Sequence, residues 1–276
     1  MPTKSTRFTV LFLAFCGLVI LMSFHIVSEM SSISHRVRAV PATSSISHRT
    51  FSVGTTISTY RQHGNAVSAV AWSPDGKYLA SASYDKTVQV WQSLTGHLDL
   101  TYHGHSNWVT AVAWSPDGKE LASGGLDTTV QVWNAMTGKT QLIYIGHAGS
   151  VTGIAWSPDS KHIASVGTDA TVQVWNASTG RTTWIFCCQG WVNGIAWSPN
   201  GKSVATANTN RTVQVWQSMT GAPVLTYRNH HSEVLAVTWS PDGTRIASGD
   251  DDGIVQVWQA PLTCHCAPVS PGQTVL

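Results

Sequence analysis

The chain has 276 residues, of which 11% are charged, and a formal net charge of +2 at neutral pH. That length admits one domain of about 200 residues plus additional segments. The charge gives no electrostatic footprint for nucleic acid, which needs clustered Lys and Arg.

In chain order, the first element is an apolar run. Lys4 and Arg7 precede "FTVLFLAFCGLVILMSFHIV", residues 8–27, which contain no Asp, Glu, Lys or Arg. As a helix this run would span about 30 Å, the thickness of a bilayer's hydrocarbon core. A secretory signal has a shorter apolar region and ends at a small-x-small site. Here Ser28-Glu29-Met30 follows instead, and bulky Phe15 stands before Cys16, where a lipoprotein needs a small residue. Residues 1–30 are therefore expected to form an N-terminal membrane anchor with one transmembrane helix, a cleaved signal being the competing reading. Lys4 and Arg7 favour an inside N-terminus and an extracytoplasmic remainder, a bias that Arg36 and Arg38 weaken. Residues 31–54 are Ser-rich and carry "SSISHR" twice, at 31–36 and 44–49. They read as a low-complexity tether that cannot bury enough to fold alone. At the other end, residues 261–276 hold three prolines and read as a flexible tail.

Between these lies a repeat. "AWSPDGKYLASASYDKTVQVWQ" at 71–92 returns nearly unchanged four more times. The tryptophans before Ser-Pro (Trp72, Trp114, Trp156, Trp197 and Trp239) step by 42, 42, 41 and 42 residues. Those after Val-Gln-Val (Trp91, Trp133, Trp175, Trp216 and Trp258) take the same steps. A period of about 40 to 45 residues means a stacked or circular repeat architecture. Within the first repeat, "AVSAVAW", "KYLASAS", "VQVW" and "LDLTY" read as four short strands separated by the turns "SPDG", "YDKT" and "TG". Such a meander cannot bury both its faces alone and must stack on its neighbours.

This unit resembles the WD repeat, in which each copy forms one four-stranded blade of a β-propeller, and its regularity is similar to that of bacterial members. The resemblance covers residues 55–260 and implies an all-β propeller of five four-stranded antiparallel blades. The family's Gly-His pair matches Gly104-His105 and Gly146-His147, with His63 and His230 in the same register. Its turn Asp matches Asp85, Asp127, Asp169 and Asp252, and its strand hydroxyl matches Ser81, Ser123, Ser165, Thr206 and Ser248. The resemblance implies one buried hydrogen-bonded cluster per blade: His63, Ser81, Asp85 and Trp91 in the first, then His105, Ser123, Asp127 and Trp133, then His147, Ser165, Asp169 and Trp175. The fifth cluster would be His230, Ser248, Asp252 and Trp258. In the fourth, Cys188 replaces His and Asn210 replaces Asp, leaving Thr206, Asn210 and Trp216. A buried carboxylate must be hydrogen-bonded, and imidazole, hydroxyl and indole groups can supply the network around it.

The sequence carries no catalytic pattern. Of fourteen carboxylates, eight belong to Ser-Pro-Asp turns or to the implied clusters. Only Glu233, Asp250 and Asp251 come near one another in register, and one acidic blade edge is not a pair of carboxylates across a cleft. No second ligand pair accompanies His103/His105, His230/His231 or Cys264/Cys266 at zinc spacing. Neither a metal nor a cofactor is expected, and the chain is not expected to be an enzyme. Residues just before the cluster Asp (Tyr84, Leu126 and Asp251) and just before the first strand (Trp108, Trp191 and Glu233) vary while the framework stays fixed. Trp and Tyr concentrate interface energy. These six are the candidate partner-binding residues of a non-catalytic scaffold for other proteins. A small-molecule or glycan sensor using the central channel is the alternative. Finally, the fifth repeat stops at its third strand, while residues 55–63 match the fourth-strand stretch at 98–105. Residues 55–60 are expected beside 255–258, closing five blades into a ring. An open arc would instead expose apolar faces and self-associate.

Overall fold

The Ser-Pro turns form through their own side chains. Ser73 Oγ donates to Asp75 Oδ1 (2.7 Å) and accepts from the Tyr78 amide (2.9 Å), while Gly76 takes the positive φ of 70° that the reversal requires. Ser115, Ser157, Ser198 and Ser240 repeat this arrangement, with Asn200 in place of Asp in the fourth copy. Each turn sends the chain straight back as an antiparallel neighbour.

The structure, a computed structural model, describes residues 53–261. Blade 1 contains β1 (Val67–Trp72), β2 (Tyr78–Ser83), β3 (Val88–Gln92) and β4 (Leu98–Tyr102). Blade 2 contains β5 (Val109–Trp114), β6 (Glu120–Gly125), β7 (Val130–Asn134) and β8 (Thr140–Tyr144). Blade 3 contains β9 (Val151–Trp156), β10 (His162–Gly167), β11 (Thr171–Asn176) and β12 (Thr182–Cys187). Blade 4 contains β13 (Val192–Trp197), β14 (Ser203–Asn208), β15 (Val213–Gln217) and β16 (Pro223–Tyr227). Blade 5 contains β17 (Val234–Trp239), β18 (Arg245–Asp250) and β19 (Val255–Gln259). The strands of every blade pair in sequence order. The fifth blade thus has three strands among the described residues, not the four expected.

The second strand of a blade shows why the sheets stack. In β2, Ala80, Ser81, Ala82 and Ser83 are all buried, so both faces of the strand are covered. Only small side chains let neighbouring sheets approach from both sides, and β6, β10 and β14 use Ala, Ser, Thr, Gly and Val in the same way. Two contacts recur, the first at three of the four seams, since between blades 3 and 4 Phe186 lies tilted on Trp216 instead. The tyrosine ending one blade stacks on the third-strand tryptophan of the next: Tyr102 on Trp133, Tyr144 on Trp175 and Tyr227 on Trp258, each with ring centroids 4.3 Å apart. Each such pair adds about 0.5–1.5 kcal/mol beyond the area it buries. In addition, Ser68, Thr110 and Thr152 donate through their hydroxyls, and Asn193 through its amide, to the first carbonyl of the next blade's opening strand.

The expected ring closure does not form. Residues 55–60 lie against blade 1, where Tyr60 stacks on Trp91 (5.0 Å) and bonds Gln89, while Ser58 Oγ donates to the Ser93 carbonyl (2.9 Å). Among the described residues β19 pairs only with β18, and no seam like that of β13 with β17 joins β17 to β1. The five blades make an open row. The likeness of residues 55–60 to a fourth strand reflects their seat on the blade that follows, and that seat needs no pairing with β19. Tyr60 is seated by Trp91 and Gln89 as Tyr102 is seated by Trp133 and Gln131, whatever β19 does.

The anchor expected at 1–30 with its helix at 8–27, all but the last two residues of the tether at 31–54 and all but the first residue of the tail at 261–276 lie outside the described residues. Among the described residues no helix is long and apolar enough to cross a membrane.

Candidate partner-binding face

Two loops meet at one end of each blade: the one entering the first strand and the one joining the second to the third. A buried network ties them together. In blade 2, His105 Nδ1 donates to Asp127 Oδ2 (2.8 Å) and Ser123 Oγ donates to His105 Nε2 (2.8 Å). Trp133 Nε1 completes the chain by donating to Ser123 Oγ (3.1 Å). Blade 3 repeats this geometry with His147, Asp169, Ser165 and Trp175. In blade 1, His63 meets Asp85 (2.8 Å) and Ser81 (2.7 Å), but the indole nitrogen of Trp91 is buried without a partner. Asp, His and Ser here have the order of a hydrolytic triad. Each serine oxygen, however, is buried, and in blades 2 and 3 it also accepts the indole hydrogen. The arrangement fastens loops; it does not present a nucleophile.

The network fixes the charge of its carboxylates. Burial works to raise Asp85, but bonds from Thr87, His63 and the Gly64 and Thr87 amides outweigh it and bring its pKa down to about 2. Asp127 and Asp169 also fall to about 2, burial being overcome by the bonds and charge of His105 and His147 and by Thr129 and Thr171.

Blade 5 corrects the sequence expectation. His230 Nδ1 donates to Asp250 Oδ2 (2.7 Å), not to Asp252, and its Nε2 meets Ser248 (2.7 Å), which accepts from Trp258 (3.3 Å). Counting six residues back from the tryptophan selects Asp252. Asp250 ends β18 at the position of Ser83, Gly125, Gly167 and Asn208, and there it is fully buried, whereas Asp252 is exposed. Asp250 Oδ1 also accepts from the Ile254 amide (3.0 Å), as Asp85 Oδ1 accepts from Thr87 (2.9 Å). Against the cost of burial, these bonds hold Asp250 below its ordinary range. The run Asp250-Asp251-Asp252 offered three carboxylates; what could have identified the right one is its place at the end of a fully buried strand.

In blade 4, Trp216 Nε1 donates to Thr206 Oγ1 (3.2 Å), while Asn210 accepts from Thr212 (2.6 Å). Asn208, which sequence reasoning passed over, is buried; its amide nitrogen donates to the Thr212 carbonyl (3.0 Å) and its carbonyl oxygen has no partner. Cys188 is buried beside Val192 and Trp216, and burial pushes its thiol up to about 12.

Above these networks lie the variable residues. One backbone bond per blade sets them side by side: Leu126 N to Trp108 O (2.8 Å), Thr209 N to Trp191 O (3.0 Å) and Asp251 N to Glu233 O (3.0 Å). Five of the six candidates therefore sit on loops that a histidine cluster holds; Trp191 lies on the equivalent loop of blade 4, where Cys188 replaces the histidine. Across the seam of blades 1 and 2, Tyr84 stacks on Trp108 with centroids 4.4 Å apart and planes 17° from parallel. Trp108 is 42% exposed and Trp191 58%. The Tyr84–Trp108 stack joins two blades and could not be read from either repeat alone. Among the described residues, no group of three or more His, Cys, Asp or Glu side chains could hold a metal ion.

The profile of the WD domain, G-beta repeat family matches residues 54–92, 96–134, 138–176, 180–217 and 221–259. The chain belongs to the WD40 family. Each matched WD40 repeat opens with a fourth-strand segment and closes with the third strand of the following sheet. Single repeats also resemble curated relatives. Protein HIRA of Dictyostelium discoideum is 43% identical over 37 residues, 13% of this chain and 3% of that protein. A probable cytosolic iron-sulfur protein assembly protein 1 of Cryptococcus neoformans var. neoformans serotype D is 48% identical over 44 residues, 16% of this chain and 10% of the relative. The Notchless protein homolog of Arabidopsis thaliana is 53% identical over 34 residues, 12% and 7% of the two chains. The chain thus matches a tenth or less of the length of these relatives.

Proposed function

We propose that this WD40 protein is a non-catalytic scaffold that binds other proteins through the loop face above its histidine clusters, tethered to a membrane through residues 8–27. The observation that carries the reading is the Tyr84–Trp108 stack, a rigid aromatic pair bridging two blades with its tryptophan 42% exposed. Aromatic anchors on a fixed frame lose little entropy on binding and dominate interface energy. The frame beneath is a buried hydrogen-bonded network of imidazole, carboxylate and hydroxyl groups, so the face can vary without disturbing the fold. The name of the Cryptococcus relative, an assembly protein, is in keeping with a scaffold.

The test is the double substitution Tyr84→Ala with Trp108→Ala. It should weaken capture of partners from solubilised membranes at least tenfold, since hot-spot truncations cost about 2 kcal/mol or more. The thermal midpoint should stay nearly unchanged. Loss of the fold would make the pair core and end the proposal. The tether is tested by fractionation: full-length protein in the soluble fraction with its N-terminus intact would reject it.

A further inference from the structure

The two ends of the row of blades are complementary. At blade 5, one edge of β19 is unpaired among the described residues. Val255 is 49% and Val257 64% exposed, whereas their equivalents Val88, Val90, Val130, Val132, Val172, Val174, Val213 and Val215 are at most 1% exposed. At blade 1, the opposite face is left open by the described residues. Trp72 is 38% exposed against 8% and 7% for Trp114 and Trp156, and Val67 is half-buried where Val109, Val151, Val192 and Val234 are fully buried. Blade 1 already carries residues 55–60, seated by Trp91, Gln89 and Ser93. In the other repeats this place belongs to the fourth strand of the preceding blade.

We infer that the occupant of the β19 edge is a second copy of this chain, whose residues 55–60 add the missing fourth strand to blade 5 and whose β1 face stacks on that blade. The register follows from the internal seams. Val90 faces Leu100, Val132 faces Leu142, Val174 faces Trp184 and Val215 faces Leu225. Shifting each member of these pairs by whole repeats sets Val257 opposite Ser58 and Val255 opposite Tyr60 of the second copy. Residues 55–60 need not leave their seat on Trp91 to do this, because a fourth strand touches both its own sheet and the next blade. An unpaired apolar edge is a template for such pairing. The contact is head-to-tail, so it generates a ring or a longer row of blades. It differs from the internal seams in two respects: Ser58 stands where Leu100, Leu142, Trp184 and Leu225 face the third-strand valine, and Leu235 stands where Ser68, Thr110, Thr152 and Asn193 donate across the seam, so that bond is replaced by apolar contact.

Disulfide trapping in the full-length chain tests this. Cys16, Cys187, Cys264 and Cys266 are first replaced by serine. One preparation then carries Ser58→Cys, a second of different tag carries Val257→Cys, and a third carries both. Cross-strand partners lie within disulfide reach. Mixing the two singly substituted proteins should give a mixed-tag disulfide dimer, and sedimentation of the parent protein should show two or more chains per particle. Val257→Lys places a charge on the edge at an already exposed position. It should return the particle to one chain while the thermal midpoint holds and residues 8–27 stay untouched. A disulfide confined to single chains carrying both cysteines would mean that the ring closes on itself, and would overturn the inference. So would a particle of one chain, failure of the mixed disulfide to form, or an oligomer indifferent to Val257→Lys.

Discussion

At the scale of single residues, the turn after each cluster carboxylate shows a strain that one blade has escaped. Lys86, Thr128, Ala170 and Arg211 occupy positive φ angles between 58° and 73°, and the equivalent residue of blade 5 is Gly253 at 80°. Left-handed backbone is costly for a side chain with a Cβ, most of all a β-branched one. Thr128→Gly should therefore stabilise the protein by up to about 1 kcal/mol, the relieved strain exceeding glycine's extra unfolded-chain entropy. The opposite case is Gly104. A Cβ there would lie 2.2 Å from the Gln131 side-chain oxygen and 2.3 Å from the Tyr102 hydroxyl, which bond to each other. Gly104→Ala should lower stability by roughly 1–3 kcal/mol, as overpacking does. Chemical denaturation of the two variants checks both signs. If Thr128→Gly destabilises, the turn is held by the threonine side chain and the backbone argument is wrong.

At the scale of the element, blade 4 shows how a repeat fails and what was legible in advance. The strands, the turns and the pairing of His63 with Asp85 and Ser81 follow from periodic sequence, because each recurs in register. The exceptions depend on burial, which periodicity does not encode. Asp250 displaced Asp252 because it ends a buried strand, and the Tyr84–Trp108 stack spans two repeats. Closure was misread for a similar reason: matching residues 55–60 to a fourth strand reveals the strand type but not which blade holds it. In blade 4 the same lesson suggests a repair. Cys188 stands 42 residues before His230, and Asn208 stands 42 before Asp250. The Asn208 carbonyl oxygen is buried and unpartnered, so an imidazole at position 188 would find an acceptor waiting. Cys188→His is expected to stabilise by about 1 kcal/mol, the worth of one buried bond. Adding Asn208→Asp should reproduce the blade 5 pair, whereas Asn208→Asp alone should destabilise by leaving a charge buried without its cation or donor. A double-mutant cycle by thermal unfolding measures the coupling, and simple additivity would show that the pair never assembles.

At the scale of the whole molecule, the stacked clusters make stability depend on acid in a defined window. Asp85, Asp127 and Asp169 have folded-state pKa values of about 2, below the ordinary value of 3.8. A depressed carboxylate contributes stability that is complete above the unfolded pKa and is lost as pH falls through the folded one. The contribution should therefore be constant from neutrality to about pH 5, decline through pH 4 and vanish near pH 2. Each group is worth on the order of 1–2 kcal/mol once solvent screening is allowed for. Three together come to about 3–6 kcal/mol, near the lower end of the roughly 5–15 kcal/mol that holds a typical domain. Asp242 also falls to about 2, through its bonds with Ser240 and Thr244, but it lies on an exposed turn and adds little to this sum. Because each cluster fastens one blade's loops and each blade supports its neighbours, protonation should unfold the row in one steep transition. Asp127→Asn tests the linkage. It should lower the thermal midpoint at neutral pH and flatten the acid limb by about one proton's worth of slope. An acid limb that keeps its full slope in Asp127→Asn would show that this carboxylate does not carry the transition.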